Sequence, residues 1–222
     1  MSYTLEFGEL AQYAGMFARG ATLTLGLTAA ATVLGVALGV GGAAARESRS
    51  RMLRTAVAAY VEAIRNTPFI IQLFFVFFGL PALGMRLDEY SASIIAMTLN
   101  LGAYATEIVR AGVAAVPRGH LEAAASLAMT PAQIYRHVVL PQALAKVFPA
   151  LVSQIVIVML GSAVVSQISV PDLTYAASYI QSRNFRAFET YLIITVSYLG
   201  LAIALRAVLR AAGRRLFVRG AR

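Results

Sequence analysis

Cysteine and tryptophan are absent from the 222 residues of this sequence, and charged residues make up only 13% of them. Without cysteine, the chain can form neither a disulfide nor a thiolate metal site. The two histidines, His120 and His137, stand alone in the sequence and do not form the cluster that a zinc site needs. We therefore expect no metal site.

Apolar residues dominate what is present, at 59% of the chain, and the mean hydropathy is +0.72. This composition is that of an integral membrane protein. Because about 20 apolar residues cross the hydrocarbon core as a helix, the charge-free stretches predict an all-α, polytopic fold of about five transmembrane helices. These stretches are 20–45, 66–85, 91–106, 147–170 and 190–205. Since no repeat, linker or low-complexity tract divides the chain, residues 1–222 are predicted to form a single transmembrane domain.

The second of these helices carries two unusual features. We expect it to begin near Thr55, ahead of its charge-free part, and so to take Glu62 and Arg65 into the membrane. Pro68 follows Thr67, and a proline inside a helix frees a backbone carbonyl and permits a local break. This position is therefore predicted to be a hinge or a ligand contact.

Basic residues are distributed unevenly among the segments that connect the apolar stretches. One set of connections carries Arg46, Arg49, Arg51, Arg54, Arg110, Arg118, Arg136, Lys146, Arg210, Arg214, Arg215, Arg219 and Arg222, and the other carries Arg19, Arg86, Arg183 and Arg186. Because the richer set is expected in the cytoplasm, the amino terminus is predicted to be external and the carboxyl terminus cytoplasmic. The net charge of +9 then reflects topology and contact with a lipid membrane, and no nucleic-acid partner is expected.

Small residues in the first stretch, such as Gly35 and Gly39, form a pattern that lets helix backbones approach closely. Packing within the chain is favoured over a seam between two copies. Gly41 and Gly42 are followed by alanine and no lysine, so the phosphate-binding loop G-x-x-x-x-G-K-[ST] is absent. The chain is therefore predicted to bind no nucleotide by that motif.

A polar passage at residues 117–143 interrupts the apolar pattern and contains its own signals for helix starts and ends. An alanine-rich helix is predicted over 121–127, and Thr130, Pro131 and Gln133 form a second helix start with threonine as N-cap. Leu140 and Pro141 are predicted to close that second helix. The result is a helix-turn-helix that either docks a partner or lies at the membrane interface as an amphipathic connector.

This passage, "EAAASLAMTPAQIYRHVVLPQA", resembles the EAA loop of the permease subunits of ATP-binding-cassette (ABC) importers. The flanking segments "YVEAIRNTPFIIQLFFVFFGLP" and "LNLGAYATEIVRAGVAAVPRGHLEAA" resemble the polar amino acid branch of that family, which takes histidine, arginine, lysine, glutamate, glutamine and opines. The resemblance extends from about residue 20 to about residue 170.

The resemblance implies a type I importer permease in the bacterial cytoplasmic (inner) membrane, forming the pathway for a polar amino acid. The implied partners are a second permease subunit, identical or homologous, two P-loop ATPase subunits and an external amino-acid-binding protein. ATP and Mg belong to the ATPase, and this chain is expected to bind no cofactor and to catalyse no reaction. The residues implied in coupling to the ATPase are Glu122, Ala123, Ala124, Ala128, Thr130, Pro131, Leu140 and Pro141.

Two positions depart from the family pattern. Ala128 stands where the family has glycine, and if that turn is left-handed, alanine costs on the order of 1 kcal/mol. In the segment 158–168 relatives often carry a lysine followed by Thr-Ser, whereas this chain has Leu160, Gly161, Ser162 and Ala163. No role of that lysine transfers to this chain.

Polar residues inside the predicted spans are candidates for the substrate path or its gate, because such groups are costly in lipid. They are Glu62, Arg65, Thr67, Asn100, Glu107, Gln154 and Ser162. Glu62 and Arg65, spaced i,i+3, are either a mutually neutralised structural pair or a contact to substrate or gate. A hydrogen bond between helices explains Asn100 equally well. For Glu107 with Arg110, a structural or gate-network role is favoured over ligand contact.

Two other function classes, a stand-alone transporter and an intramembrane enzyme, would need sequence features of their own. A stand-alone channel or secondary carrier would need its coupling sites within this chain, and the sequence has neither an inverted repeat nor matched broken helices. An intramembrane enzyme would need a catalytic constellation, and neither H-E-x-x-H nor G-x-S-x-G occurs.

Overall fold

A computed structural model of the chain describes residues 5–217. Two of the basic residues used to predict orientation, Arg219 and Arg222, lie outside this range. The helices are, in chain order, α1 (Ala14–Arg46), α2 (Arg51–Arg65), α3 (Phe69–Ala82), α4 (Glu89–Ala114), α5 (Arg118–Ser126), α6 (Pro131–Ile168), α7 (Leu173–Asn184) and α8 (Ala187–Phe217). A 3-10 turn, Gly8–Tyr13, leads into α1.

Within the described residues, α1, α4, α6 and α8 are long and apolar enough to cross a membrane, and α2 with α3 forms a bent fifth candidate. The prediction of about five membrane helices in an all-α fold is thereby confirmed. The helices are longer than the charge-free stretches because their ends include charged residues. Long basic side chains at helix ends can extend their charged groups to the membrane surface.

The second predicted membrane helix is divided in two. α2 and α3 meet at an angle of 113°, and Glu62 and Arg65 lie on α2, ahead of the apolar helix α3. The physical cause is Pro68, which has no N–H and precedes α3 in an extended conformation with a ψ of 140°. The expected local break at this proline is confirmed.

The predicted helix end at Leu140 and Pro141 is wrong, because α6 runs through both residues to Ile168. A π turn, Tyr135–Val139, immediately precedes them, and the Leu140 N–H donates to the Tyr135 carbonyl five residues back. The wider turn shifts the hydrogen-bond register directly before Pro141, which has no N–H to donate and whose ring would crowd the preceding turn of a regular α-helix. α3 also has a π turn before a proline, at Phe75–Gly79 ahead of Pro81.

α4 is the central helix and contacts α1, α2, α3 and α6. Its largest interface is with α1, where Gly35 lies against Leu101 and Gly39 lies against Ala105. The two helices run parallel at this contact, because residue numbers rise together on both. The predicted use of the small residues for packing within the chain is confirmed. The main apolar core surrounds this interface, with Met97 of α4 fully buried in it.

A buried joint holds α7 against two spanning helices. Asp172 is fully buried and caps α7: its Oδ1 accepts from the Tyr175 N–H at 2.8 Å, and its Oδ2 accepts from the Tyr198 hydroxyl of α8 at 3.2 Å. The Leu173 N–H donates to Thr24 Oγ1 of α1 at 3.4 Å. Burial raises the pKa of Asp172 to about 6. Sequence reasoning missed this joint, whose partners are distant in the chain.

We expect Gly39→Ala to destabilise the protein, because the added Cβ would lie 2.3 Å from the Ala105 Cβ and 2.9 Å from its carbonyl carbon. Overpacking of this kind costs about 1–3 kcal/mol. The measurement is the temperature at which half of the detergent-solubilised protein is lost from its size-exclusion peak. Gly41→Ala is the matched control, because no atom lies within 4 Å of the place that its added Cβ would take; equal losses in both variants would contradict the packing interpretation.

Candidate functional site

The short helix α5 forms the first half of the polar passage. Pro117 precedes it in an extended conformation, and the helix continues to Ser126. Ala124 is buried, whereas Glu122 and Ala123 are exposed. The outer surface of α5 therefore carries the Glu122 carboxylate and small side chains, with Arg118 and His120 exposed in the first turn, while its inner surface packs against the rest of the protein.

Ala128 ends α5 in the left-handed conformation, with a φ of 55°. The Ala128 N–H donates to the Ala125 carbonyl at 3.0 Å, and the Met129 N–H donates to the Ala124 carbonyl at 3.3 Å. These two bonds form a Schellman motif, which normally has glycine at the left-handed position. The turn that the sequence left uncertain is thus a left-handed one, and alanine occupies it at a conformational cost.

The predicted helix start at Thr130 is confirmed as a capping box. The Thr130 N–H donates to Gln133 Oε1 at 2.8 Å, and the Gln133 N–H donates to Thr130 Oγ1 at 3.4 Å. Pro131 occupies the first helical position, where no N–H is needed. Only three residues separate the end of α5 from this cap, so the link between α5 and α6 is fixed at both ends.

Three contacts fasten α5 and the start of α6 to the membrane helices. His120 Nδ1 and Gln142 Oε1 are 2.8 Å apart and join α5 to α6. The Lys146 ammonium of α6 donates to the Ala115 carbonyl at the end of α4. A small apolar core beneath α5 consists of buried Val116, Val139 and Ala143 with Val113, Leu121 and Ile134 packed against it.

A cavity of about 400 Å³ lies at the break between α2 and α3. Three predicted path residues, Thr67, Asn100 and Gln154, line it together with Tyr104 and others. Ser162 does not belong to this lining: it is fully buried, and its hydroxyl donates to the Met159 carbonyl at 2.7 Å. The cavity offers amide and hydroxyl groups to a polar ligand.

Gln72 holds the break beside this cavity, and sequence reasoning missed it. Its Nε2 donates to the Ile64 carbonyl at 2.7 Å and to the carbonyl and hydroxyl oxygens of Thr67 at 3.0 Å. Its Oε1 accepts from Asn100 Nδ2 of α4 at 2.9 Å. The interhelical hydrogen bond, one of the two interpretations of Asn100, is present, and Asn100 also lines the cavity. The available signal was a single amide in the otherwise apolar segment that follows Pro68.

The remaining path candidates, Glu62, Arg65 and Glu107, line an open depression of about 390 Å³. Glu107 accepts from Arg110 Nη2 at 2.7 Å, so this i,i+3 pair is present. Among residues 5–217, neither Glu62 nor Arg65 takes part in an ion pair, so they do not neutralise each other. The Arg65 guanidinium lies 5.5 Å from the ring centre of Tyr104. Because Tyr104 also lines the cavity, this contact marks the boundary between the two spaces.

Comparison with known proteins gives one consistent result. The family model of the binding-protein-dependent transport system inner membrane component matches residues 18–218. The probable glutamine ABC transporter permease protein GlnM of Bacillus subtilis (strain 168) is 33% identical over 205 residues, which cover 92% of this chain and 93% of the relative. The L-cystine transport system permease protein TcyB of the same organism is 38% identical over 165 residues, which cover 74% of this chain and 70% of the relative.

A solved structure agrees with these relatives. One chain in the crystal structure of an amino acid ABC transporter with histidines matches with a TM-score of 0.89 at 37% sequence identity. The match covers 96% of this chain and all of the solved one. The helical arrangement described above is therefore the type I ABC permease fold.

We expect Ala128→Gly to stabilise α5 by about 1 kcal/mol, because glycine adopts the left-handed conformation without steric cost. The measurement is hydrogen–deuterium exchange of the α5 amides in detergent, which should slow in the variant. Ala125→Gly is the matched control in the interior of the same helix, where glycine should speed exchange by a similar free energy. Faster exchange in Ala128→Gly would contradict the conformational interpretation.

Proposed function

Because the chain belongs to the family of binding-protein-dependent transport system inner membrane components, we propose that it forms the translocation pathway for a polar amino acid in an ABC importer. Its relatives are ABC transporter permeases, so the chain is a permease subunit and a multi-pass protein of the bacterial inner membrane. This family membership favours the permease over a stand-alone channel or secondary carrier. The substrate, the partners and the site residues below are parts of the proposal.

The cavity at the α2–α3 break supports an amino acid as the substrate. Thr67 of the α2–α3 break, Asn100 of α4 and Gln154 of α6 converge on one space. Their hydroxyl and amide groups can hydrogen-bond to an ammonium or a carboxylate, which a purely apolar pore could not do. Relatives named for glutamine and cystine point to the same substrate class. Ser162, enclosed elsewhere, is left out of the proposed path.

The single observation that supports coupling to ATP hydrolysis is that α5 is held rigidly against the rest of the protein. A docking helix transmits movement only if it cannot slide on its own protein, and α5 is capped at its end, packed on its inner side and joined to α6. Glu122 and Ala123 remain exposed for a partner. Separate P-loop ATPase subunits would hold ATP and Mg and dock on this surface, so that this chain itself is not an enzyme.

The other predicted coupling residues shape this surface. Ala128 provides the left-handed turn, Thr130 and Pro131 start α6, and Leu140 with Pro141 follows the π turn. When the ATPase pair closes, α5 would carry the movement into α4 through the packed core and into α6 through the His120–Gln142 contact. The hydrogen bond from Lys146 to Ala115 would then link α6 to the end of α4. An inward-facing pathway would thereby become outward-facing.

The proposed assembly places this chain beside a second permease subunit, identical or homologous. Two ATPase subunits would bind on the end of the bundle that carries α5, and an external binding protein would deliver the amino acid at the other end. The arginines near α5 and at the α1–α2 connection support the α5 end as the cytoplasmic one.

We expect Glu122→Arg to abolish co-purification of the ATPase when the tagged chain is isolated in mild detergent from its native host. Reversing a charge in a docked interface should weaken it on the order of tenfold or more. Mass spectrometry identifies and quantifies the retained proteins. Glu47→Arg is the matched control, because Glu47 is an exposed carboxylate at the end of α1 but is not on α5. Absence of any ATPase from the folded wild type would contradict the proposed function.

A further inference from the structure

The break between α2 and α3 removes a backbone donor inside the protein. In a continuous helix the Ile64 carbonyl would accept from the N–H four residues later, but that residue is Pro68 and has none. The Gln72 side chain supplies the missing donor, since its Nε2 lies 2.7 Å from the Ile64 oxygen. The same nitrogen also donates to the Thr67 carbonyl.

These carbonyls fix the direction of the Gln72 amide. A carbonyl oxygen can only accept a hydrogen bond, so the amide nitrogen of Gln72 must face Ile64 and Thr67. Gln72 Oε1 then faces α4 and meets Asn100 at 2.9 Å. Because Oε1 can also only accept, Asn100 must donate through its own nitrogen. The orientation of both amides therefore follows from the backbone at the break.

Asn100 Oδ1 is the hydrogen-bond acceptor that this arrangement leaves unpaired. Asn100 lines the cavity, whereas Gln72 is buried behind it. Among residues 5–217, Oδ1 has no hydrogen-bond partner, and an unpaired acceptor is stabilised when a donor reaches it. Asn100 Nδ2 has two N–H groups and gives one of them to Gln72, so its side chain keeps the free acceptor Oδ1 beside one remaining N–H.

We propose that Gln72 is a positioning residue that, by orienting Asn100, makes the cavity accept a hydrogen bond from an N–H donor of the transported amino acid, its ammonium or a side-chain amide. The inference rests on the proposed function and adds the chemical group that this wall recognises. Gln72 does not touch the substrate and acts only through Asn100.

The test measures binding of radiolabelled glutamine to the permease–ATPase complex in nanodiscs, without the binding protein. Gln72→Met keeps a side chain of similar length but cannot hydrogen-bond in this way. We expect it to weaken amino acid affinity about tenfold, the equivalent of one hydrogen bond, while ATPase co-purification stays at the wild-type level. Gln181→Met, a partly buried glutamine on α7, is the matched control and should bind as the wild type does.

A double substitution separates positioning from general stabilisation. If Gln72 acts through Asn100, then Gln72→Met with Asn100→Leu should bind no more weakly than Asn100→Leu alone. The inference would be overturned if the double substitution weakened affinity by the product of the two single losses, or if Gln72→Met bound with wild-type affinity. If Gln72→Met does not assemble, Gln72→Asn replaces it, because the shorter amide keeps its hydrogen-bonding groups but fits the span less well, and the same loss of affinity is expected.

Failure of the inference and failure of the proposed function give different results. Wild-type complexes that take up an amino acid in liposomes but show no such binding would overturn the role of Asn100 and leave the permease function standing. Wild-type complexes that hydrolyse ATP and transport no amino acid would remove the proposed substrate class, and this inference with it.

Discussion

Pairing of backbone polar groups in apolar surroundings is the constraint on which this structure depends. A membrane interior offers no water to an unpaired N–H or carbonyl, so each departure from a straight helix needs its own partner. At Pro68 the partner is the Gln72 amide. In the polar passage outside the membrane interior the backbone is paired in the same way, by the shifted register of a π turn ahead of Pro141 and by the two bonds at Ala128 that close α5. The irregular positions are thus as firmly held as the helices between them.

The helix α4 connects the break at Pro68 with the first part of α6. α4 carries Asn100 and Tyr104 in the wall of the cavity, and the carbonyl of Ala115, directly after its last turn, accepts from Lys146 of α6. Close packing of α4 against the glycines of α1 leaves it little freedom to bend. A displacement of α5 would therefore reach the cavity as movement of α4 as a whole. This continuity is the physical basis proposed for coupling between the docking surface and the substrate.

Local chemistry in the sequence predicted the elements that depend on neighbouring residues. The capping box at Thr130, the close packing of Gly35 and Gly39, and the break at Pro68 each follow from a few adjacent positions, and each is present. The failures involve partners outside that range. Gln72 meets Asn100 28 residues away, and Asp172 meets Tyr198 on another helix. The continuation of α6 past Pro141 was missed for a different reason, because it depends on a local π turn that has no recognisable sequence pattern.

The proposed docking surface on α5 is tested most directly by cross-linking, because the sequence has no cysteine and each introduced thiol is then unique in the chain. Ala123→Cys places one thiol on the exposed side of α5, and Ala82→Cys places one at the exposed end of α3. A bifunctional maleimide is added to native membranes, and mass spectrometry identifies the adduct. We expect Ala123→Cys alone to form a covalent adduct with a P-loop ATPase. Adducts with lipid-embedded proteins only, or ATPase adducts formed equally by Ala82→Cys, would contradict a specific docking role for α5.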